Sequence, residues 1–114
     1  ATDSMAHEAA MRGVSHGYDL AVAPPMRMFL YLPFEHSETA ADQHRSVGLF
    51  LDRLPEPELL LHARAHREVI RRFGRFPDRN AALGRRNSPD ESAFLAEGGY
   101  AGLIRAMMPA HGRS

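Results

Sequence analysis

The six residues Pro33-Phe34-Glu35-His36-Ser37-Glu38 place two carboxylates around an imidazole, and Asp42 and Gln43 follow one helical turn later. A carboxylate beside an imidazole is the pairing that general acid–base chemistry uses, since one group orients and charges the other near neutral pH. His36 is thus a candidate base with Glu35 orienting it, and a structural hydrogen bond is the alternative role. Glu38 has a simpler origin, because a helix dipole favours a carboxylate at its N-terminus by about 0.3–1 kcal/mol. The same holds for Asp42. Ser37 beside His36 does not make a triad without further geometry, and a chain with no cysteine has no thiol nucleophile.

Gln43 and His66 stand where the apolar stripe of their helices calls for a hydrophobic residue. A buried polar group without a partner costs ~1–3 kcal/mol. The two are therefore expected to bond each other across facing helices, to bond the chain around His36, or to line a cleft. His66 is a further candidate acid–base residue. His62 and His66 form an H-x-x-x-H pair with Glu58 a turn earlier, a spacing that can bind zinc. Ala63 fills the place where metalloproteases carry glutamate, so neither a metal nor a cofactor is expected.

The segment Phe73-Gly-Arg-Phe-Pro-Asp-Arg-Asn80 interleaves aromatics and arginines. Arg75 and Arg79 can fork a carboxylate or phosphate, with Asn80 beside them as a further ligand-binding candidate. A salt bridge from either arginine to Glu35 or Glu38 is the plainer reading. Bases stacked on Phe73 or Phe76 would make a single-strand nucleic-acid site. Gly74 and Pro77 suggest instead a rigid turn whose rings serve the core, so nucleic acid ranks third.

Helices must position these groups. Thr2 or Asp3 can cap a first helix that ends between Gly13 and Gly17, and 19–23 is a connector. Pro24 and Pro25 suit the first turn of a short helix that Pro33 is expected to stop. Ser37 or Thr39 caps a third helix in which Ala40, Gln43, Val47, Phe50 and Leu54 form one stripe. The fourth runs from about Glu58 to Phe73. Leu59, Ala63, His66, Ile70 and Phe73 line its inner face, arginines line the other, and Gly74 closes it. A loop follows, with one helical turn expected at 80–83. Ser88-Pro89-Asp90-Glu91 is a capping-box signal, and Gly98-Gly99 ends the fifth helix before a short one at 100–108. No segment reads as a strand. The fold class is all-α, built of short antiparallel helical hairpins, as one domain over 1–108 with a flexible tail at 109–114.

The 114 residues suit one core, and no apolar run nears the ~18–20 residues of a membrane span. No secretory signal is visible, and without cysteines there is no disulfide framework. These features favour the cytoplasm. All 14 basic residues are arginine. Residues 1–58 hold nine acids and four arginines, whereas 59–114 hold five acids and ten arginines. The basic half can meet an acidic partner or neutralise the acidic half within the fold.

Phe29-Leu-Tyr-Leu-Pro-Phe-Glu-His-Ser-Glu38, Asp42-Gln43, His66, Arg72-Phe-Gly-Arg-Phe-Pro-Asp-Arg-Asn80 and Gly84-Arg85 together resemble a bacterial family, domain of unknown function 924. The likeness runs from about residue 1 to residue 97. It implies an all-helical, TPR-like fold and no known activity. Two departures follow from it. Asp78 stands where the family usually has histidine, and family members usually extend several dozen residues upstream. The resemblance therefore implies absent N-terminal helices and an uncovered apolar face, which tends to recruit a partner. A homodimer through that face is expected.

The leading functional expectation is a helical module that binds a partner protein or a small anionic ligand. Glu35, His36, Glu38, Gln43, His66, Arg75, Arg79 and Asn80 would line its polar cleft. The rival is an enzyme using His36 or His66 as base, Glu35 to orient it, and Arg75 or Arg79 to hold an anion.

Overall fold

The computed structural model describes residues 2–109, with side chains from Met5 onward. Six α-helices follow in order: α1 (Thr2–Ser15), α2 (Pro24–Glu35), α3 (Ala40–Arg53), α4 (Pro57–Phe73), α5 (Pro89–Ala96) and α6 (Gly99–Met107). Two 3-10 turns, Tyr18–Ala21 and Pro77–Arg79, link α1 to α2 and α4 to α5. No strand occurs among the described residues, and the fold is all-α. None of these helices is long and apolar enough to cross a membrane. The cap expected at Thr2 or Asp3 falls outside the described side chains, and all of the tail beyond Pro109 lies outside the described residues.

Local chemistry sets the ends of the helices. Thr39 caps α3 by accepting the Asp42 N–H, and Ala40, expected in the buried stripe, is exposed. Pro57 opens α4, and Gly74 closes it in the left-handed region (φ 71°), with its N–H on the Ile70 carbonyl. The capping box of Ser88 and Glu91 forms as its spacing predicts. Pro33 does not stop α2, which continues to Glu35. A proline removes a single backbone donor, and here the helix needs only two more residues. The His36 N–H on the Leu32 carbonyl, 2.8 Å, then completes the turn. The loop after α4 differs in a similar way. Its 3-10 turn forms at Pro77–Arg79, with irregular turns over 80–84 in place of a helical turn at 80–83.

Packing divides the interior into two apolar clusters that share α4. Val14 of α1, Tyr31 and Phe34 of α2, and Val47 and Phe50 of α3 meet Ala63 in the first. Val69 and Ile70 gather Phe76, Phe94 of α5 and Leu103 of α6 into the second. Burying one such large side chain stabilises by about 1.5–3 kcal/mol. His66 lies on α4 among the residues of the second cluster, and its ring meets Glu35 of α2 and Tyr100 of α6.

A polar lock ties the α1–α2 connector to this core. The Asp19 carboxylate, fully buried, accepts from Tyr31 Oη and takes both oxygens to Arg53 Nη1 at 2.8 and 2.9 Å. Arg27 adds bonds to the carbonyls of Asp19, Val22 and Arg53. Burial alone would raise the Asp19 carboxyl, but the bonds from Tyr31 and Arg53 outweigh it and hold its pKa below the usual value.

Candidate functional site

The end of α2 is fixed from within by Gln43. Its fully buried amide Nε2 donates to the carbonyls of Glu35 (2.6 Å) and Ser37 (2.7 Å), with a longer approach to Phe34 (3.4 Å). The polar side chain in the α3 stripe thus bonds the chain around His36. Its Oε1 and the nearby Ser46 Oγ are buried with no partner among the described residues.

Glu35, so placed, points its carboxyl into the protein and is 6% exposed. Its Oε1 lies 3.1 Å from His66 Nδ1. That nitrogen is 2.7 Å from the His62 carbonyl, and a carbonyl can only accept, so Nδ1 carries the proton and a neutral ring keeps its lone pair on Nε2. The Tyr100 hydroxyl closes the group from α6, 3.1 Å from His66 Nδ1 and 2.7 Å from His62 Nδ1. Burial pushes Glu35 up to about 7. It lowers His66 to about 4, against the bond to the His62 carbonyl and with the Arg79 charge acting in the same direction. Despite the short contact, the two therefore form no full ion pair at neutral pH: the imidazole is neutral and the carboxyl partly protonated. Tyr100 is raised by burial and by the Glu35 charge, so it stays a phenol.

In front of this buried group opens a cleft of about 880 Å³ between α1, the α2–α3 turn and the second 3-10 turn. Its polar walls are His7, Glu8, His36, Ser37, Glu38, Asp42 and Arg79, and Phe29, Leu32 and Pro33 supply apolar surface. The His36 ring lies 5.8 Å from that of His66, so it joins the cleft to the buried cluster. Arg79 donates to the His36 carbonyl at 3.1 Å and covers the Phe76 ring at 4.6 Å. Desolvation and then the Arg79 charge lower His36. Glu38 is already matched: Arg85 Nη1 and Nη2 reach its two oxygens at 2.9 and 3.1 Å, and the Phe76 N–H donates at 2.6 Å. These bonds, Arg85's first, hold Glu38 low. Asp42 accepts from Ser37 Oγ (2.6 Å) and contacts His7 Nε2 (3.0 Å), both through Oδ2. Burial would raise it, but the bonds from Ser37, His7 and Thr39 prevail and keep it ionised.

Of the residues singled out in the sequence, His36, Glu38 and Arg79 border the cleft, Glu35 and His66 stand behind it, and Gln43 supports them. Arg75 and Asn80 are engaged otherwise. Arg75 makes a two-point bond to Glu91, both contacts 2.7 Å. Asn80, buried, bonds Asn87 and accepts from Arg85. The arginine that meets Glu38 is Arg85, not Arg75 or Arg79. Both imidazoles of the H-x-x-x-H pair direct Nδ1 toward Tyr100. Sequence reasoning passed over Tyr100, Arg85 and His7. Tyr100 carried a usable signal, as a tyrosine on a short apolar helix needs a partner for its hydroxyl. His7 carried none.

A family model described as "Bacterial protein of unknown function (DUF924)" matches residues 1–99. A solved structure of a protein of unknown function from Agrobacterium tumefaciens is similar, with a TM-score of 0.80 and 42% identity. The match covers 86% of this chain and 55% of that one, so this chain spans little more than half of its neighbour. No curated protein matches.

Proposed function

This chain belongs to the bacterial DUF924 family, and we propose that it is a binding module whose cleft takes a small anionic ligand between Arg79 and His36. The observation that carries this reading is the state of Arg79. Among the described residues no carboxylate comes within ion-pair distance of it, although its charge reaches Glu38, whereas Arg53, Arg75 and Arg85 each make such a pair. A guanidinium bordering a cleft beside a depressed imidazole repels that imidazole's proton, and a bound carboxylate or phosphate relieves both. Glu35 and His66 stand behind His36 rather than along the cleft, which favours binding over an acid–base enzyme. Calorimetric titration with inorganic phosphate at fixed ionic strength tests this. Saturable heat is expected, weakened about tenfold or more in Arg79→Ala. No saturable binding, or equal binding by the variant, overturns the proposal.

We propose in addition that a second copy of the chain covers the face formed by α1, the first 3-10 turn and α2. Met5, Met11, Tyr18, Leu20, Val22 and Met26 are exposed there; of the other exposed large apolar side chains among the described residues, Phe29 belongs to the cleft and Leu51 and Leu83 lie elsewhere. Exposed apolar side chains concentrated on consecutive elements favour association. Light scattering at micromolar concentration should give a dimer mass that Leu20→Glu reduces to monomer; a monomeric wild type contradicts the idea.

A further inference from the structure

We infer that the ligand of this cleft is a small zwitterion, carrying a phosphate or carboxylate at one end and an ammonium at the other. The inference rests on the anion-binding reading and goes on to ask what the rest of the cleft requires.

Glu38 is satisfied by Arg85 and the Phe76 N–H. Arg79 then remains as the one arginine on the cavity, which also holds two further acids, Glu8 and Asp42, the latter in contact with His7. A simple anion would meet Arg79 favourably and those two carboxylates unfavourably. Ser37 and His7 both bond Asp42 through Oδ2, and the Thr39 hydroxyl beside them adds a further stabilising contact. Among the described residues no hydrogen bond reaches its Oδ1, although the side chain is only 17% exposed. One oxygen of an ionised carboxylate is thus left to accept a donor from the cavity. Arg79 and Asp42 are also positioned by consecutive residues, since Arg79 bonds the His36 carbonyl and Asp42 accepts from the Ser37 hydroxyl. Anchored to consecutive residues, both charges border the one cleft. No ion pair joins them to each other among the described residues. A ligand with both charges matches the two at once, and its middle can rest on the apolar surface of Phe29, Leu32 and Pro33.

Calorimetry of the wild-type chain with phosphoethanolamine and with monoethyl phosphate isolates the ammonium, since the two share the anionic end. Phosphoethanolamine should bind about tenfold tighter or more, the scale of one charge-assisted hydrogen bond. Asp42→Asn should remove that advantage and, by lifting an opposing charge, bind monoethyl phosphate at least as tightly as the wild type does. The wild-type comparison stands even if this variant folds poorly. If both probes bind equally and depend on Arg79, the zwitterion is refuted and the anion site survives. If neither binds, the anion reading itself falls. Tighter binding of phosphoethanolamine that persists in folded Asp42→Asn refutes the assigned role of Asp42.

Discussion

Glu35→Gln should uncover a pH dependence of stability that the native pair conceals. In the unfolded chain Glu35 titrates near 4.5 and His66 near 6.5, whereas folding raises the first to about 7 and lowers the second to about 4. Around pH 5.5 the unfolded chain therefore carries its proton on His66 and the folded chain carries it on Glu35. Folding moves one proton between groups with little net uptake or release. At 1.36 kcal/mol per pH unit, each displacement is worth about 3 kcal/mol. The signs oppose. Because the folded pKa of Glu35 is raised, its contribution is lost as pH rises from 4.5 to 7. Because that of His66 is depressed, its contribution is lost as pH falls from 6.5 to 4. Urea unfolding followed by circular dichroism at a series of pH values separates them. The stability of Glu35→Gln minus that of the wild type should climb by about 3 kcal/mol from pH 4.5 to 7. For His66→Gln the same difference should also climb by about 3 kcal/mol, but on going down from pH 6.5 to 4. If both differences stay level across pH, the buried carboxyl and imidazole do not titrate as described.

Asp19→Ala should destabilise the chain by about 3–5 kcal/mol, because it leaves Arg53 and the Tyr31 hydroxyl without their buried partner; urea unfolding at neutral pH reads this directly. Gly99→Ala should cost about 1 kcal/mol or more in thermal unfolding. Its φ of 58° disfavours a side chain, and the new Cβ would meet Asp78 Oδ1 at 2.8 Å. Ser88→Ala should lose about 1 kcal/mol through its half of the capping box, with no effect on phosphate binding.

Much of this architecture is written locally. The capping box at Ser88, the cap at Thr39 and the amphipathic run of α4 depend on neighbours within a turn or two, so their spacing declares them. Gln43 and His66 were legible as polar intrusions in apolar stripes, since each breaks a period that burial imposes. Their partners were less so. Asp19 finds Arg53 across 34 residues, His7 finds Asp42 across 35, and Arg85 finds Glu38 across 47. Nothing in the order of the chain encodes such distances. The division of labour among the arginines had the same origin. Arg75, Arg79 and Arg85 carry identical chemistry, and only the path of the loop after α4 decides which meets Glu91, which meets Glu38, and which is left beside His36. Pro33 shows the limit of a local rule, because its cost depends on how much helix remains to be built.

The charge state of His36 reports on the cleft most directly. Its pKa, followed by long-range proton–nitrogen NMR with and without phosphate at constant ionic strength, begins below the ordinary histidine value. An anion seated against Arg79 should raise it as phosphate saturates, and Arg79→Ala should abolish the rise. A His36 pKa that does not move with phosphate would contradict the site.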